Sequence, residues 1–399
     1  MIVSYGPDNK QLLKESDLHI SNLSRKLLRK KVRISFRRSL KDFFKSLPGS
    51  LKFVLKKNNK TKIYIALVLA GGMGDVLRQK DAFCAILEVF PSAVVDVYGK
   101  TYKLFFKDIK NVRFFFNKYF IGFSRKRYDI VLDYFSSDNI TSGICDLAVN
   151  SLRTDSLKSF KADFEYLKTQ YPYCFKFETQ YFFQKKAVEN KLKFNNVVKL
   201  TAGIKNFTKI ALPVNFKEQD ILKFGLSKQC KYITFQHGWG NKGYIPNKMY
   251  MSTHLWATKN WEELLKEIKR MFPEYKIVQV GLASVHVLCA DINLVGKTSF
   301  DELCSVIKYS SLHIDTDCGC VHIARAVNTR CVVLFGPSNA EYVGYEDNIN
   351  IVANSCRNCF VIEKWYEKCV RGFKDPICMK SILPNFVANT IKENLRDSI

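Results

Sequence analysis

Residues 312–326 read Leu312-His313-Ile314-Asp315-Thr316-Asp317-Cys318-Gly319-Cys320-Val321-His322-Ile323-Ala324-Arg325-Ala326, and after a short polar break comes Cys331-Val332-Val333-Leu334-Phe335-Gly336-Pro337. Two apolar runs, Leu312–Ile314 and Cys331–Phe335, flank a small-residue helical stretch, His322–Val327. That is the pattern of buried parallel strands joined by a helix. The first strand delivers Asp317, Gly319 permits a close turn, and the helix begins just after it. Such a turn aims backbone N–H groups at an anion such as a diphosphate. His322, one turn into the helix, is placed to position or neutralise that phosphate.

The same alternation extends upstream. Tyr232–Phe235 reads as a strand, Trp261–Phe272 as an amphipathic helix, Tyr275–Gly281 as a strand and Phe300–Ser310 as a helix. A second alternating series occupies the other half. It runs from a strand at Ile63–Ala70 through a turn at Gly71-Gly72-Met73-Gly74-Asp75 to a helix at Val76–Phe90. Strands at Ala93–Tyr98, Val112–Phe116 and Tyr128–Tyr134 follow. Both series predict doubly wound α/β sheets, with a boundary near 215–230. The aromatic, Lys-rich stretch Ser151–Lys209 has weak periodicity and yields no element assignment.

At the first turn, glycines let backbone approach a ligand beside a helix N-terminus. The spacing does not match GxGxxG, so a dinucleotide site is not expected. Asp75 has two readings of equal weight: a general base taking a proton from an acceptor hydroxyl, or the N-cap of the helix. Gln236-His237-Gly238-Trp239-Gly240 follows the first strand of the second half, at the edge where open α/β sheets bind ligands. His237 and Trp239 are candidates there for donor or acceptor contact, or for packing.

Composition narrows the function. With 399 residues and 47% apolar residues, two soluble domains are expected. No apolar run reaches the ~18 residues of a membrane span, and no secretory signal is legible, so a cytoplasmic protein is expected. In that setting Cys84, Cys145, Cys174, Cys230, Cys289, Cys304 and Cys331 read as buried thiols. The net charge of +26 implies an acidic partner. Residues 1–60 carry sixteen Lys/Arg against four Asp/Glu. Within them, Asn22–Leu47 reads as a helix with a Phe/Leu stripe and a basic face, suited either to an anionic membrane surface or to packing on its own domain. The charge concentrates in that segment and no recognition motif accompanies it, so nucleic acid is not expected.

The motifs together resemble glycosyltransferase family 9, the ADP-heptose:acceptor heptosyltransferases. The resemblance is carried by Asp317-x-Gly319-x-x-His322-x-Ala324-x-Ala326, by Val332-Val333-Leu334-Phe335-Gly336-Pro337-Ser338, and by Gly74-Asp75-Val76-Leu77. Tyr128-Asp129-Ile130-Val131-Leu132-Asp133, Lys259-Asn260-Trp261, Gln279-Val280-Gly281 and Gly296-Lys297-Thr298 fall in family order, so it spans roughly 62–385. It implies a GT-B fold, with two Rossmann-like domains facing across a cleft. It also implies inverting transfer of a heptose or hexose from a nucleotide sugar, with no divalent ion needed. Asp75 then matches the acidic residue that activates the acceptor, beside Gly74. Lys259 matches a lysine on the donor phosphates, and Asp317, Cys318, Gly319, His322, Gly281 and Gly336 fall in the donor-binding elements. Cys318 and Cys320 depart from the usual residues of the turn.

Cys356-x2-Cys359-x9-Cys369-x8-Cys378 offers four thiolates to a structural iron or zinc, or four buried thiols. With Trp365 and Pro376-x-Cys378-Met379 it resembles the iron-binding finger of bacterial autotransporter heptosyltransferases. The expected organisation is therefore a basic extension (1–60), an acceptor-side domain (61–220), a nucleotide-sugar domain (221–350), and a Cys-rich finger with a terminal helix (351–399). The expected partners are ADP-heptose or a similar donor, and a protein hydroxyl or a lipid-linked glycan such as lipopolysaccharide core. Peripheral association with the inner membrane and a homo-oligomer complete the expectation.

Overall fold

The computed structural model describes residues 1–5, 61–110, 112–116, 121–135, 144–176, 180–208, 212, 214–238, 253–282, 287–354, 356–359, 369–373 and 376–396. They form two compact units dividing at 213/214. Strand β1 (Ile2–Tyr5) belongs to the C-terminal unit, and the amphipathic stretch read at Asn22–Leu47 lies outside the described residues.

The N-terminal unit is a five-stranded sheet in the order β4-β3-β2-β5-β6. Its strands are β2 (Tyr64–Val68), β3 (Val94–Tyr98), β4 (Val112–Phe116), β5 (Ile130–Asp133) and β6 (Asp146–Val149). Every pair is parallel except β5 with β6. Strand β2 is wholly buried, which is why YIALV carries no polar alternation. Helix α1 (Met73–Val89) follows it, and the Gln79 amide clamps strand end to helix. Its Oε1 accepts from the Ala70 N–H at 3.1 Å and its Nε2 donates to the Ala70 carbonyl at 2.8 Å. The stretch left unassigned above holds α2 (Asp155–Gln170), α3 (Gln180–Glu189) and α4 (Phe194–Thr201). Leu157, Phe160, Phe164 and Leu167 form the buried stripe of α2, and the Thr154 side chain caps its first turn.

The C-terminal unit is a seven-stranded sheet in the order β1-β12-β11-β10-β7-β8-β9, parallel throughout. Its strands are β7 (Tyr232–Gln236), β8 (Lys276–Val280), β9 (Ile292–Asn293), β10 (Leu312–Thr316), β11 (Cys331–Phe335) and β12 (Ile349–Ala353). Helices α5 (Thr258–Met271), α6 (Phe300–Lys308), α7 (Gly319–Ala326) and α8 (Pro384–Arg396) accompany them. Helix α6 starts on a capping box: the Glu302 carboxylate accepts from the Ser299 N–H at 2.7 Å. Trp256 and Trp261 are buried in one core with Val387, Ala388, Ile391 and Leu395 of α8, and the Trp256 indole donates to the Ile382 carbonyl at 3.0 Å.

These facts correct the expected organisation in two places. Residues 2–5 pair with β12, with Ile2 opposite Asn350 and Tyr5 opposite Ala353, so residues 1–60 do not form an extension throughout. Likewise β12 and α8 complete the sheet and core of the C-terminal unit, so 351–399 is no separate domain. Strands of four and five residues, each interrupted by a polar one, carry little signal until the partner strand is known.

Candidate functional site

Each sheet has one place where the strand order reverses. In the C-terminal unit the chain runs outward from β7 to β8 and β9, then returns to β10 on the other side of β7. The loops leaving the carboxyl ends of β7 and β10 therefore diverge and leave a crevice, where open α/β sheets bind ligands. His237 and Gly238 follow β7; Asp317, Cys318 and Gly319 follow β10. The N-terminal unit repeats the rule between β2 and β5, and the Gly71–Asp75 turn leaves β2 there.

Thr316 ends β10 and Gly319 opens α7, with extended Cys318 as the residue before the helix. The first-turn N–H groups of α7 thus point out at the crevice. His322 is buried on α7, and its Nδ1 lies 2.7 Å from the Tyr345 hydroxyl, with the two rings edge to face. That contact fixes the imidazole, and Tyr345 carries no signal in the motif. Beneath the loop is His254, which is fully buried and hydrogen-bonded to the Asp317 backbone. Burial pushes its pKa below the usual histidine value against the opposing pull of Asp317, so it is neutral at pH 7. No motif marked it.

His237 is 3% exposed, and its Nε2 lies 3.2 Å from the Thr258 hydroxyl at the start of α5. Its ring also packs at 5.9 Å from Trp261. This bond ties the beginning of α5, and so Lys259 in its first turn, to the loop after β7. The Lys259 side chain is 83% exposed and reaches Glu263 at 3.7 Å, a surface pair with an ammonium open to a ligand. Gly281 follows β8 at φ +142°, and its carbonyl accepts from the Gly296 N–H at 2.8 Å, which joins the loops after β8 and β9. Trp239 lies outside the described residues.

Gly336 has a packing reason for its identity. A Cβ there would collide with the Met379 side chain and come within 3.3 Å of Cys378 Sγ. The end of β11 and the last finger cysteine are therefore pressed together.

In the N-terminal unit, Asp75 folds back on its own turn. Its Oδ2 accepts from the Gly72 N–H at 2.8 Å, and a Cβ on Gly71, at φ +91°, would overlap it. Asp75 is not the N-cap, which is Gly72; it is the third residue of the helix and accepts from the N-cap N–H, and that bond fixes the carboxylate at the mouth of the turn. Gly74 behind it is buried. The Tyr102 hydroxyl donates to the Gly71 carbonyl at 2.5 Å, and burial together with the Asp75 charge raises its pKa, so it stays a donor. A cavity of about 370 Å³ also lies in this unit, lined by Asp81, Glu88, Ser156, Lys199 and Lys205 among others. No residue of the Gly71–Asp75 turn lines it, so it stands apart from the candidate chemistry.

All thirteen cysteines are free thiols. Cys145, Cys174, Cys304 and Cys331 are buried as expected, Cys84 and Cys230 are half-buried, and Cys289 is exposed, against expectation, beside the loop that follows β8. Cys356, Cys359 and Cys378 are buried and Cys369 is half-buried. Burial first, and then the other finger thiols, raises the pKa of Cys359 and Cys378. Four free thiols within one another's electrostatic reach fit a thiolate-bound iron or zinc by donor type. Their sulfurs are not gathered within 4.8 Å of one another; among the described residues the group that is consists of His313, Asp315 and Cys320, each offering a ligand atom. Among them no helix is long and apolar enough to cross a membrane.

Comparison with known proteins agrees with this architecture. The dodecameric iron-containing heptosyltransferase TibC of enterotoxigenic E. coli, solved in complex with ADP-D-β-D-heptose, matches at a TM-score of 0.50. The identity is 14%, over 86% of this chain and 78% of that one. The E. coli ADP-heptose lipopolysaccharide heptosyltransferase II structure gives 0.49 at 16% identity, over 84% and 99% of the two chains. In sequence, lipopolysaccharide heptosyltransferase 2 of E. coli K12 is 26% identical over 113 residues, 25% of this chain. The chain spans only about a third of that relative's length, 32%. The model of glycosyltransferase family 9 (heptosyltransferase) matches residues 167–370. That span holds the α5 lysine, the α7 loop and three of the four finger cysteines, while the Gly71–Asp75 turn lies before it. Matching more than half of its residues, the chain belongs to glycosyltransferase family 9.

Proposed function

We propose that this protein is an inverting transferase that moves heptose from ADP-heptose to a hydroxyl of a protein acceptor. The observation that carries the reading is the α7 loop: a glycine turn and helix N-terminus at the switch point of a parallel sheet, in a family 9 chain. The donor diphosphate binds the first-turn N–H groups of α7 and the Lys259 ammonium, with Asp317 and His322 orienting it. Gly281 gives the donor a close approach to backbone. The acceptor oxygen attacks the anomeric carbon on the face opposite the diphosphate. Its proton passes to the Asp75 carboxylate, and ADP departs with the electron pair of the broken bond. The N–H groups and Lys259 take up the charge that develops on the leaving oxygen, so no divalent ion is required. Asp75 is suited to the base role because the Gly72 N–H fixes its carboxylate at the mouth of the turn that leaves β2.

The protein acceptor rests on the likeness of Cys356, Cys359, Cys369 and Cys378 to the finger of autotransporter heptosyltransferases. We assign those four cysteines to a structural iron or zinc; four protein ligands leave no open position for substrate. A related solved protein is dodecameric, and a homo-oligomer is proposed with it. A second reading, transfer to a lipid-linked glycan at the inner membrane, is favoured by the basic composition of residues 1–60 and by the lipopolysaccharide enzyme matched in sequence.

The test incubates the full chain with ADP-heptose and either an autotransporter passenger domain or heptose-deficient lipopolysaccharide core, and follows product mass. A heptose increment on the protein alone supports the first reading. An increment on the glycan alone replaces it with the second. Bound donor without any transfer refutes both acceptors.

A further inference from the structure

Strand β10 and the turn after it carry a second pattern, His313-x-Asp315-x-x-Cys318-x-Cys320, which shares only Cys318 with the donor-binding elements. Residues two apart on a strand share a face, so His313 and Asp315 project together, and both are fully buried. Cys318 and Cys320 are brought over them by the turn into α7 and are buried as well.

The polar contacts hold the pair in place. Thr234 Oγ1 is 3.0 Å from His313 Nδ1, while its own hydroxyl hydrogen has the Ser310 hydroxyl at 3.1 Å and the Leu312 carbonyl at 3.3 Å to donate to. Thr234 Oγ1 is thus placed to hold Nδ1, and Nε2 is the ring atom turned towards Asp315. Opposite Nε2, at 3.3 Å, is Asp315 Oδ2. Asp315 Oδ1 is occupied by the Thr316 N–H at 2.8 Å. A cation seated between Nε2 and Oδ2 would be bound by both in a buried site. A separation of 3.3 Å is also what two ligands ~2.1 Å from one tetrahedral ion require. Cys320 Sγ lies in the same 4.8 Å group, and Cys318 Sγ is 2.8 Å from Asp315 Oδ2. The Thr234 contact to Nδ1 is the arrangement that orients a ligating imidazole.

We infer that His313, Asp315, Cys318 and Cys320 form a metal site, distinct from the four-cysteine finger, that takes zinc. The mixed nitrogen, oxygen and sulfur donors suit that borderline ion in tetrahedral geometry. On binding, the two thiols lose their protons to solvent and the thiolates bond the ion. With four protein ligands the role is structural. The ion would pin the end of β10 to the start of α7, and so fix the donor loop between them. The inference stands on the cluster alone and does not depend on the transferase reading.

The experiment is zinc analysis and zinc K-edge X-ray absorption on the full chain grown with zinc, in three forms: wild type, Cys356→Ser/Cys359→Ser, and Cys320→Ser. Removing the finger pair should leave roughly one zinc per chain, in a shell of two nitrogen/oxygen and two sulfur scatterers. Cys320→Ser should lose that component and leave any all-sulfur component unchanged. If the finger variant does not fold, the wild-type spectrum decides: a nitrogen/oxygen shell at about 2.0–2.1 Å is required. A wild type with no zinc, or with an all-sulfur shell only, overturns the site. So does a finger variant that folds and holds no zinc, or a Cys320→Ser protein whose mixed shell persists.

Discussion

The turn after β2 and the turn after β10 share a topology and differ in what lies beneath them. Both leave the carboxyl end of a central parallel strand at a switch point, and both lead through glycines into a helix. Below the β10 turn is a layer of buried polar side chains: His313, Asp315, Gln236 and His254. The Cys320 thiol donates to Gln236 Oε1 at 2.8 Å, and His254 holds the Asp317 backbone. Under the β2 turn, the strand is apolar throughout and one amide, Gln79, closes the joint. The first arrangement fixes a backbone surface, as an anion site needs. The second presents a single carboxylate, Asp75, held by its own turn. A shared topology thus yields two chemistries, one built on N–H groups and one on a side chain.

The sharpest way to break this contrast is Asp75→Asn. The amide keeps the size of the side chain and cannot accept the acceptor proton, so transfer should fall by about 10²- to 10⁴-fold while ADP-heptose affinity is unchanged. A variant that loses donor binding in proportion would place Asp75 in the donor site and erase the division of labour.

Gly336→Ala tests the packing behind the donor loop. The added Cβ meets Met379 and Cys378, and overpacking of this kind costs about 1–3 kcal/mol. Urea unfolding should show that loss, and Met379→Ala in the same chain should recover part of it. Lys259→Ala works at the opposite extreme of exposure. Stability should be unmoved, because the side chain is 83% exposed, whereas donor affinity should drop about five- to tenfold, the scale of one exposed charge-assisted contact. Equal affinity in variant and wild type would return Lys259 to the solvated surface.

His254 supplies a pH signature. Its pKa is depressed in the folded protein, so below about pH 6.5 the unfolded chain binds a proton that the folded chain does not. The stabilising contribution is complete above that pH and is lost as pH falls, with a slope up to about 1.4 kcal/mol per pH unit. His254→Gln should flatten the slope between pH 6.5 and 5 in denaturant titrations. An unchanged slope would show that the β10 turn does not depend on a neutral His254. The smallest expected effect is Glu263→Gln, where losing an exposed i,i+4 pair should change stability by less than about 0.5 kcal/mol.

Much of the fold was legible because buried parallel strands leave continuous apolar runs. Ile63–Ala70, Tyr232–Phe235 and Cys331–Phe335 each hold a strand within two residues of either end. Helix α7 starts three residues earlier than the small-residue pattern, at Gly319, because extended Cys318 ends the turn sooner. Strands β1 and β12 were not legible, since each is short and their pairing joins residues almost 350 apart. Helix α2 hid its stripe among lysines, although Leu157, Phe160, Phe164 and Leu167 keep helical spacing. Within the candidate site, residues set in their own local turn, such as Gly319 and Asp75, were singled out by motif. His254 and Tyr345 were missed, and Gln236 was read without a role, because each contacts the turn across a gap in sequence: 84 residues separate Cys320 from Gln236. Without the family likeness, Lys259 would have passed for an ordinary surface charge.

The most direct test of the account is calorimetric titration of ADP-heptose into wild type, Asp75→Asn and Lys259→Ala. The account predicts donor binding by the wild type, the same affinity for Asp75→Asn, and weaker binding for Lys259→Ala. A folded wild type that binds no ADP-heptose, or an Asp75→Asn protein that fails to bind it, would contradict it.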